Sequence, residues 1–189
     1  MIVIGVTGGI GGGKSTICCE LAKLCEGVVI SADKIGHEVL ANSAASEVTA
    51  AFGTTDRKQL GEIVFADPEK LRILNAITHK YIFKEIQNII DKTTDSDIII
   101  LEAAVLFTTD FPPKYDYSIA VTADKDIRIN RIIERDKASR DDIKDRISAQ
   151  PSDDEFRAMA DFVVENNGGI EEIKPQLEEI LNCVTNPKN

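Results

Sequence analysis

Thr7-Gly8-Gly9-Ile10-Gly11-Gly12-Gly13-Lys14-Ser15-Thr16 decides how the rest of the chain is read. Within it, Gly8-x4-Gly13-Lys14-Ser15 meets every fixed position of the phosphate-binding pattern G-x4-G-K-[ST]. The context agrees. Met1-Ile2-Val3-Ile4-Gly5-Val6 is a short apolar run that reads as a buried strand. Ser15 to Leu24 reads as a helix, with Ile17, Leu21 and Leu24 at helical spacing. A polyphosphate needs a ring of backbone N–H donors, which side chains would obstruct. Glycines let the backbone curl around it, and the helix that follows points its positive end inward. Lys14 can then reach the β- and γ-phosphates, and the Ser15 hydroxyl can hold Mg²⁺. The motif indicates a nucleoside triphosphate without saying what is done with it.

Working outward, Val28-Val29-Ile30 is a second apolar strand running into Ser31-Ala32-Asp33-Lys34, with a helix from about Ile35 to Leu40. Asp33 lies just past a strand end, where ligands bind in an open parallel sheet. It reads equally as a helix N-cap. Its strand is expected one place over from the phosphate loop. Residues 41–96 read as mostly helical, in three apolar stripes: Leu60, Ile63, Val64 and Phe65; Leu71, Leu74 and Ile77; Tyr81, Ile82, Ile86, Ile89 and Ile90. Phe65-Ala66-Asp67-Pro68-Glu69 is a helix break and restart, with Asp67 as cap and Pro68 at the first position. This insertion, about 36–90, exceeds what one crossover needs and is a candidate acceptor-covering subdomain.

Asp97 to Leu101 is a continuous apolar strand ending in Glu102. An acid there is the usual partner of a phosphate loop, holding Mg²⁺ directly or through water. Tyr117 to Thr122 is a fourth strand, followed by a helix from about Lys125 to Arg135. Residues 128–146 hold seven basic and five acidic side chains, a local excess of +2 in a chain of formal charge −10. Two readings compete: a solvated helix pair laced by ion pairs such as Asp142–Arg146, or a mobile lid, about 138–154, that brings arginines to the phosphates. Phe162-Val163-Val164 is a fifth strand leading to Glu165-Asn166-Asn167-Gly168-Gly169, and a helix from Ile170 to Leu181 closes the chain.

Composition bounds the function. A chain of 189 residues is one globular unit on ordinary domain sizes. Its negative charge argues against nucleic-acid or anionic-membrane binding by bulk electrostatics. No apolar run approaches a membrane span of roughly 20 residues, and the first strand lacks a signal peptide's basic flank. Cys18, Cys19, Cys25 and Cys183 show no C-x-x-C spacing and read as reduced thiols of a cytoplasmic protein. His37 and His79 are too isolated for a histidine metal site.

Strands alternating with helices imply an α/β fold: a five-stranded parallel sheet flanked by helices, carrying the insertion and the lid within one domain, 1–189. The motif order resembles the dephospho-coenzyme A kinase family. The resemblance rests on Gly5 to Ser15, Ile30 to Ile35 and Leu60 to Phe65. It continues through Leu101 to Phe107, Arg135-Asp136 with Arg140, Arg146 and Gln150, and Ala160 to Val163 with Asn166 and Gly168. It spans about residues 2–180. This chain departs from the family pattern at Gly12, Ser31, Lys80, Glu102, Ala104 and Thr108, where serine, aspartate, proline, aspartate, proline and an acid are usual.

The resemblance implies transfer of the γ-phosphoryl of ATP, with Mg²⁺, to the ribose 3′-hydroxyl of dephospho-coenzyme A, the last step of coenzyme A biosynthesis. It implies ATP contacts from Gly9, Ile10, Gly11, Gly12, Gly13, Lys14, Ser15, Thr16, Arg135, Arg140 and Asn166. Acceptor contacts would come from Thr7, Asp33, Leu60, Phe65, His79 and Glu102. Asp33, Lys14 and Arg140 would be catalytic, with Ser15 and Glu102 at the metal. A monomer is expected, with no nucleic-acid or membrane partner. Two alternatives stand beside it: a kinase of the same fold with another small acceptor, such as a nucleoside monophosphate, and a non-catalytic nucleotide-binding regulator. No N-K-x-D motif points to a GTPase switch, and no L-S-G-G-Q-type signature points to a transporter ATPase.

Overall fold

The computed structural model describes residues 1–64, 67–109, 112–137 and 139–186. They form two compact units, Met1–Ile30 with Asp95–Thr108 and Lys114–Asn189, and Ser31–Thr94 with Thr109–Pro113.

The first unit holds a five-stranded sheet: β1 (Ile2–Thr7), β2 (Val28–Ser31), β3 (Ile98–Glu102), β4 (Tyr117–Thr122) and β5 (Phe162–Glu165). The spatial order is β2-β3-β1-β4-β5, and β1 pairs parallel with both β3 and β4. β3, not β2, is therefore the neighbour of β1, so the strand before Asp33 lies two places from the phosphate-loop strand, not one. Burial explains the order. Ile98, Ile99, Ile100 and Leu101 are all buried and need cover on both faces, whereas Val29 of β2 is 41% exposed and suits an edge.

Helices α1 (Lys14–Cys25), α6 (Lys125–Asp136), α7 (Arg140–Ser148), α8 (Asp153–Met159) and α9 (Ile170–Thr185) belong to this unit. Ile17, Cys18 and Leu21 of α1 and Ile173, Leu177, Ile180 and Val184 of α9 join the strand core. The four cysteines are free thiols, with Cys18 buried and Cys19 and Cys183 exposed. Burial, reinforced by the charge of Glu102, pushes the Cys18 thiol well above its ordinary range.

The second unit is helical: α2 (Ala32–Ala41), α3 (Ala45–Phe52), α4 (Arg57–Val64) and α5 (Pro68–Lys92). The long α5 packs with α2, α3 and α4. Its start matches the sequence expectation, since the Asp67 carboxylate accepts from the Glu69 and Lys70 amides at 3.0 and 3.3 Å. Among the described residues no helix is long and apolar enough to cross a membrane.

One expected ion pair is replaced. Arg146 reaches back to Asp136 at 3.2 Å rather than to Asp142. Asp142 is already engaged at the start of α7: the Ser139 hydroxyl donates to its carboxylate at 2.6 Å and accepts from its amide at 3.2 Å.

Candidate functional site

The register of the sheet builds the centre of the site. β1 and β3 align Val6 with Glu102, so the carboxylate ends its strand beside the start of the loop. The loop then delivers Ser15 to the first turn of α1, and the Ser15 hydroxyl donates to Glu102 Oε1 at 2.5 Å. A hydroxyl and a carboxylate oxygen are thereby adjacent at the start of α1. The Lys14 ammonium curls over the loop and donates to the Gly8 and Gly9 carbonyls at 2.9 and 3.2 Å. Among the described residues no group of three or more His, Cys, Asp or Glu side chains forms a metal cage.

Glycine is required at two loop positions for different reasons. Gly13 sits at φ 90°, and a Cβ there would lie 2.1 Å from Asn166 Nδ2. Gly9 makes room for a side chain instead: its Cβ would lie 2.2 Å from Arg128 Nη2.

Asn166 is buried, and its amide donates to the Gly12 carbonyl at 2.7 Å. The structure thus uses it as a brace beneath the loop. Thr7 is also buried, its hydroxyl donating to Ala104 O at 3.3 Å. Ser15 and Thr16 are exposed at the start of α1. Arg135 pairs with Asp136 through two nitrogens at 2.6 and 3.0 Å, which holds that carboxyl at about 2, and Arg140 pairs with Asp126 at 2.8 Å. Both arginines are exposed. Exposed pairs of this kind are worth roughly 0–1 kcal/mol, so exchange of either arginine onto a phosphate costs little.

In the second unit, Asp33 is an exposed side chain in the first turn of α2, where Ser31 is the N-cap. Leu60 of α4 is buried. His79 of α5 is half-buried, its ring 5.3 Å from that of Phe83 and its Nδ1 3.4 Å from the Thr109 hydroxyl. Phe65 lies outside the described residues.

Three contributors had no role assigned in the sequence reading: Arg128 and Arg131 stood only within the basic stretch, and Gln150 only within the family resemblance. Arg128 and Arg131 of α6 reach the Ile10 and Gly12 carbonyls at 2.9 and 3.5 Å, and Gln150 accepts from the Ile10 amide at 2.7 Å. The available signal was an arginine at position 128 on the same helical face as Ile132, where an apolar residue is expected.

The lid expectation gains an anchor. Ile143 of α7 is buried with Ile129 and Ile132 of α6, and Ile10 of the loop packs on this cluster. Nucleotide binding should therefore raise amide protection across 139–154, measured by hydrogen exchange with and without a non-hydrolysable ATP analogue. Equal protection in both states would remove the lid.

The chain matches known proteins over nearly its whole length. The family model described as dephospho-CoA kinase (CoaE) covers residues 2–172. A dephospho-CoA kinase from Fusobacterium nucleatum is 35% identical over 194 residues, 97% of this chain and 99% of that one. The crystal structure of TT1252 from Thermus thermophilus superposes with a TM-score of 0.84 at 29% identity, covering 95% and 96% of the two chains. A dephospho-CoA kinase structure from Campylobacter jejuni gives 0.63 at 26% identity, covering 96% of each. A phosphate loop braced by Arg128 and Arg131 of α6, by Gln150 and by Asn166, in a chain matched over nearly its whole length, leads to one conclusion: the chain belongs to the dephospho-coenzyme A kinase family.

Proposed function

We propose that the chain transfers the γ-phosphoryl of ATP to the ribose 3′-hydroxyl of dephospho-coenzyme A, giving coenzyme A and ADP. The observation that carries this reading is the Ser15–Glu102 oxygen pair beside Lys14, in a chain whose residues 2–172 match the family.

Ser15 and Glu102 fit Mg²⁺, which takes one or two protein oxygens and completes its shell with water and substrate phosphates. Held there with the nucleotide, the ion would supply positive charge against the charge on the phosphates. The chain's own residues do the rest. Loop amides from Gly9 to Lys14 cradle the phosphates, and the Lys14 ammonium stabilises charge on the transferring group. Asp33 orients the acceptor hydroxyl and takes its proton as the new O–P bond forms and the bond to the ADP leaving group breaks. Arg135 and Arg140 leave their carboxylates to meet the phosphoryl oxygens, and residues 139–154 close over them. The family resemblance assigns Leu60 and His79 of the helical unit to acceptor binding. The free thiols and the acidic surface support a cytoplasmic monomer.

Incubation with ATP, Mg²⁺ and a panel of acceptors tests the reading. ADP should appear only with dephospho-coenzyme A. ADP release without acceptor, or with nucleoside monophosphates at equal rate, would overturn it. Acceptor choice should reside in the helical unit. An adenosine phosphate lacking the pantetheine arm should bind about tenfold more weakly or worse, since each buried methylene is worth about 0.8 kcal/mol. ATP affinity should stay unchanged. Equal turnover with and without the arm would refute the assigned acceptor.

A further inference from the structure

Arg128 is 4% exposed, on a helix whose Lys125 and Arg135 face water and whose Arg131 is half-buried. Arginine is almost never fully buried unless paired, because desolvating the guanidinium costs several kcal/mol. Here Nε donates to the Ile10 carbonyl at 2.9 Å and Nη1 to Asp153 Oδ1 at 2.8 Å, while Nη2 lies against Gly9, buried and without a hydrogen-bond partner. A buried donor left unpaired is a cost that a purely structural arginine has no reason to carry.

The partners share one pattern. Ile10 has both its peptide groups taken by side chains from far along the chain, its N–H by Gln150 and its C=O by Arg128. Gln150 and Asp153 flank the start of α8, immediately after α7. The Ile10 side chain packs on the cluster that seats α7. The orientation of the Gly9–Ile10–Gly11 peptides is thus set by α6 and residues 150–153, not by the loop alone. Amides in that stretch must be aimed correctly for a phosphate to be held.

We propose that Arg128 is a positioning residue for phosphoryl transfer, tying the Ile10 carbonyl to Asp153 so that the phosphate loop and residues 150–153 move as one body. The idea rests on the phosphoryl-transfer reading above. It assigns Arg128 no contact with substrate.

Arg128→Met keeps an unbranched apolar stem and removes both ties. Asp153 is 31% exposed, so water can solvate the carboxylate left behind. On folded protein well below Tm, kcat should fall about tenfold to 10²-fold, as small misplacements at a reacting centre do. KM for dephospho-coenzyme A should stay within twofold. Arg128→Lys reaches one partner but not both and should recover part of the loss. The Arg128→Met/Asp153→Asn double variant should be no slower than Arg128→Met alone, because the two residues act through one link. A kcat loss smaller than threefold in Arg128→Met, or a drop in Tm with kcat unchanged, would overturn the proposal. If Arg128→Met does not fold, the threefold criterion passes to Arg128→Lys. Hydrogen exchange separates failure here from failure of the parent reading. In wild type, an ATP analogue should protect amides 9–11 and 150–153 together. In the variant, with the Ile10–Gln150 bond as the remaining tie, the joint response should weaken, whether or not dephospho-coenzyme A is the acceptor. Equal joint protection in both proteins would also overturn it.

Discussion

Lys14→Ala is expected to yield a folded protein with kcat lowered by at least about 10²–10³-fold, the usual cost of removing one preorganised donor from developing charge. The Lys14 ammonium lies over the loop mouth against the Gly8 and Gly9 carbonyls, and its stem starts the first turn of α1 without joining the strand core. The core cluster around Ile4, Val6, Ile17 and Leu21 is untouched by the change. Circular dichroism and thermal melting should therefore match wild type while turnover collapses. Alanine also favours the helix at this position. Near-normal turnover would remove Lys14 from the reaction. An unfolded variant would mean that the loop itself needs the lysine to close.

The second large effect belongs to Asp33. Asp33→Asn should lower kcat by roughly 10²–10⁴-fold, the worth of general acid–base help, with little change in apparent ATP affinity. Asparagine keeps the shape and one acceptor oxygen but cannot take a proton. The structure disposes of one rival, because the N-cap of α2 is Ser31 and Asp33 lies inside the first turn. A carboxylate there still favours the helix dipole by about 0.3–1 kcal/mol, so a small loss of Tm is expected beside the kinetic effect. The remaining rival is a metal role. If Asp33 chiefly holds Mg²⁺, raising Mg²⁺ should rescue the variant. Steady-state kinetics across a Mg²⁺ titration decides between them, and wild-type turnover at ordinary Mg²⁺ would end the catalytic assignment.

Much of the architecture was legible because its signals are local. Gly8 to Ser15 follow a strand and open a helix, and their chemistry dictates the loop whatever lies elsewhere. Asp67-Pro68 started α5 as expected, since a cap and a proline act on the backbone next to them. The apolar run Ile98 to Leu101 marked a strand covered on both faces, and its terminal acid met Ser15 across 87 positions.

The misreadings share a cause. Asp142 and Arg146 have the right spacing to pair, yet Ser139 had already taken Asp142 for the end of α7. Arg128 looks in sequence like one of seven cations on a solvated surface. Only the docking of α6 on the loop turns it inward. The same docking leaves Arg135 and Arg140, the arginines that the family resemblance assigned to ATP, on surface carboxylates.

Periodicity and motif spacing thus settled the fold class, the phosphate loop and the helical insertion, because short-range sterics, capping and hydrophobic pattern are written into neighbouring residues. Strand order, the bond by which the expected acid Glu102 meets Ser15, and the convergence of Arg128, Gln150 and Asn166 on one loop needed the tertiary structure. Those contacts join residues 87 to 154 positions apart, and their partners are chosen by which faces pack and by which polar groups must be satisfied once water is gone.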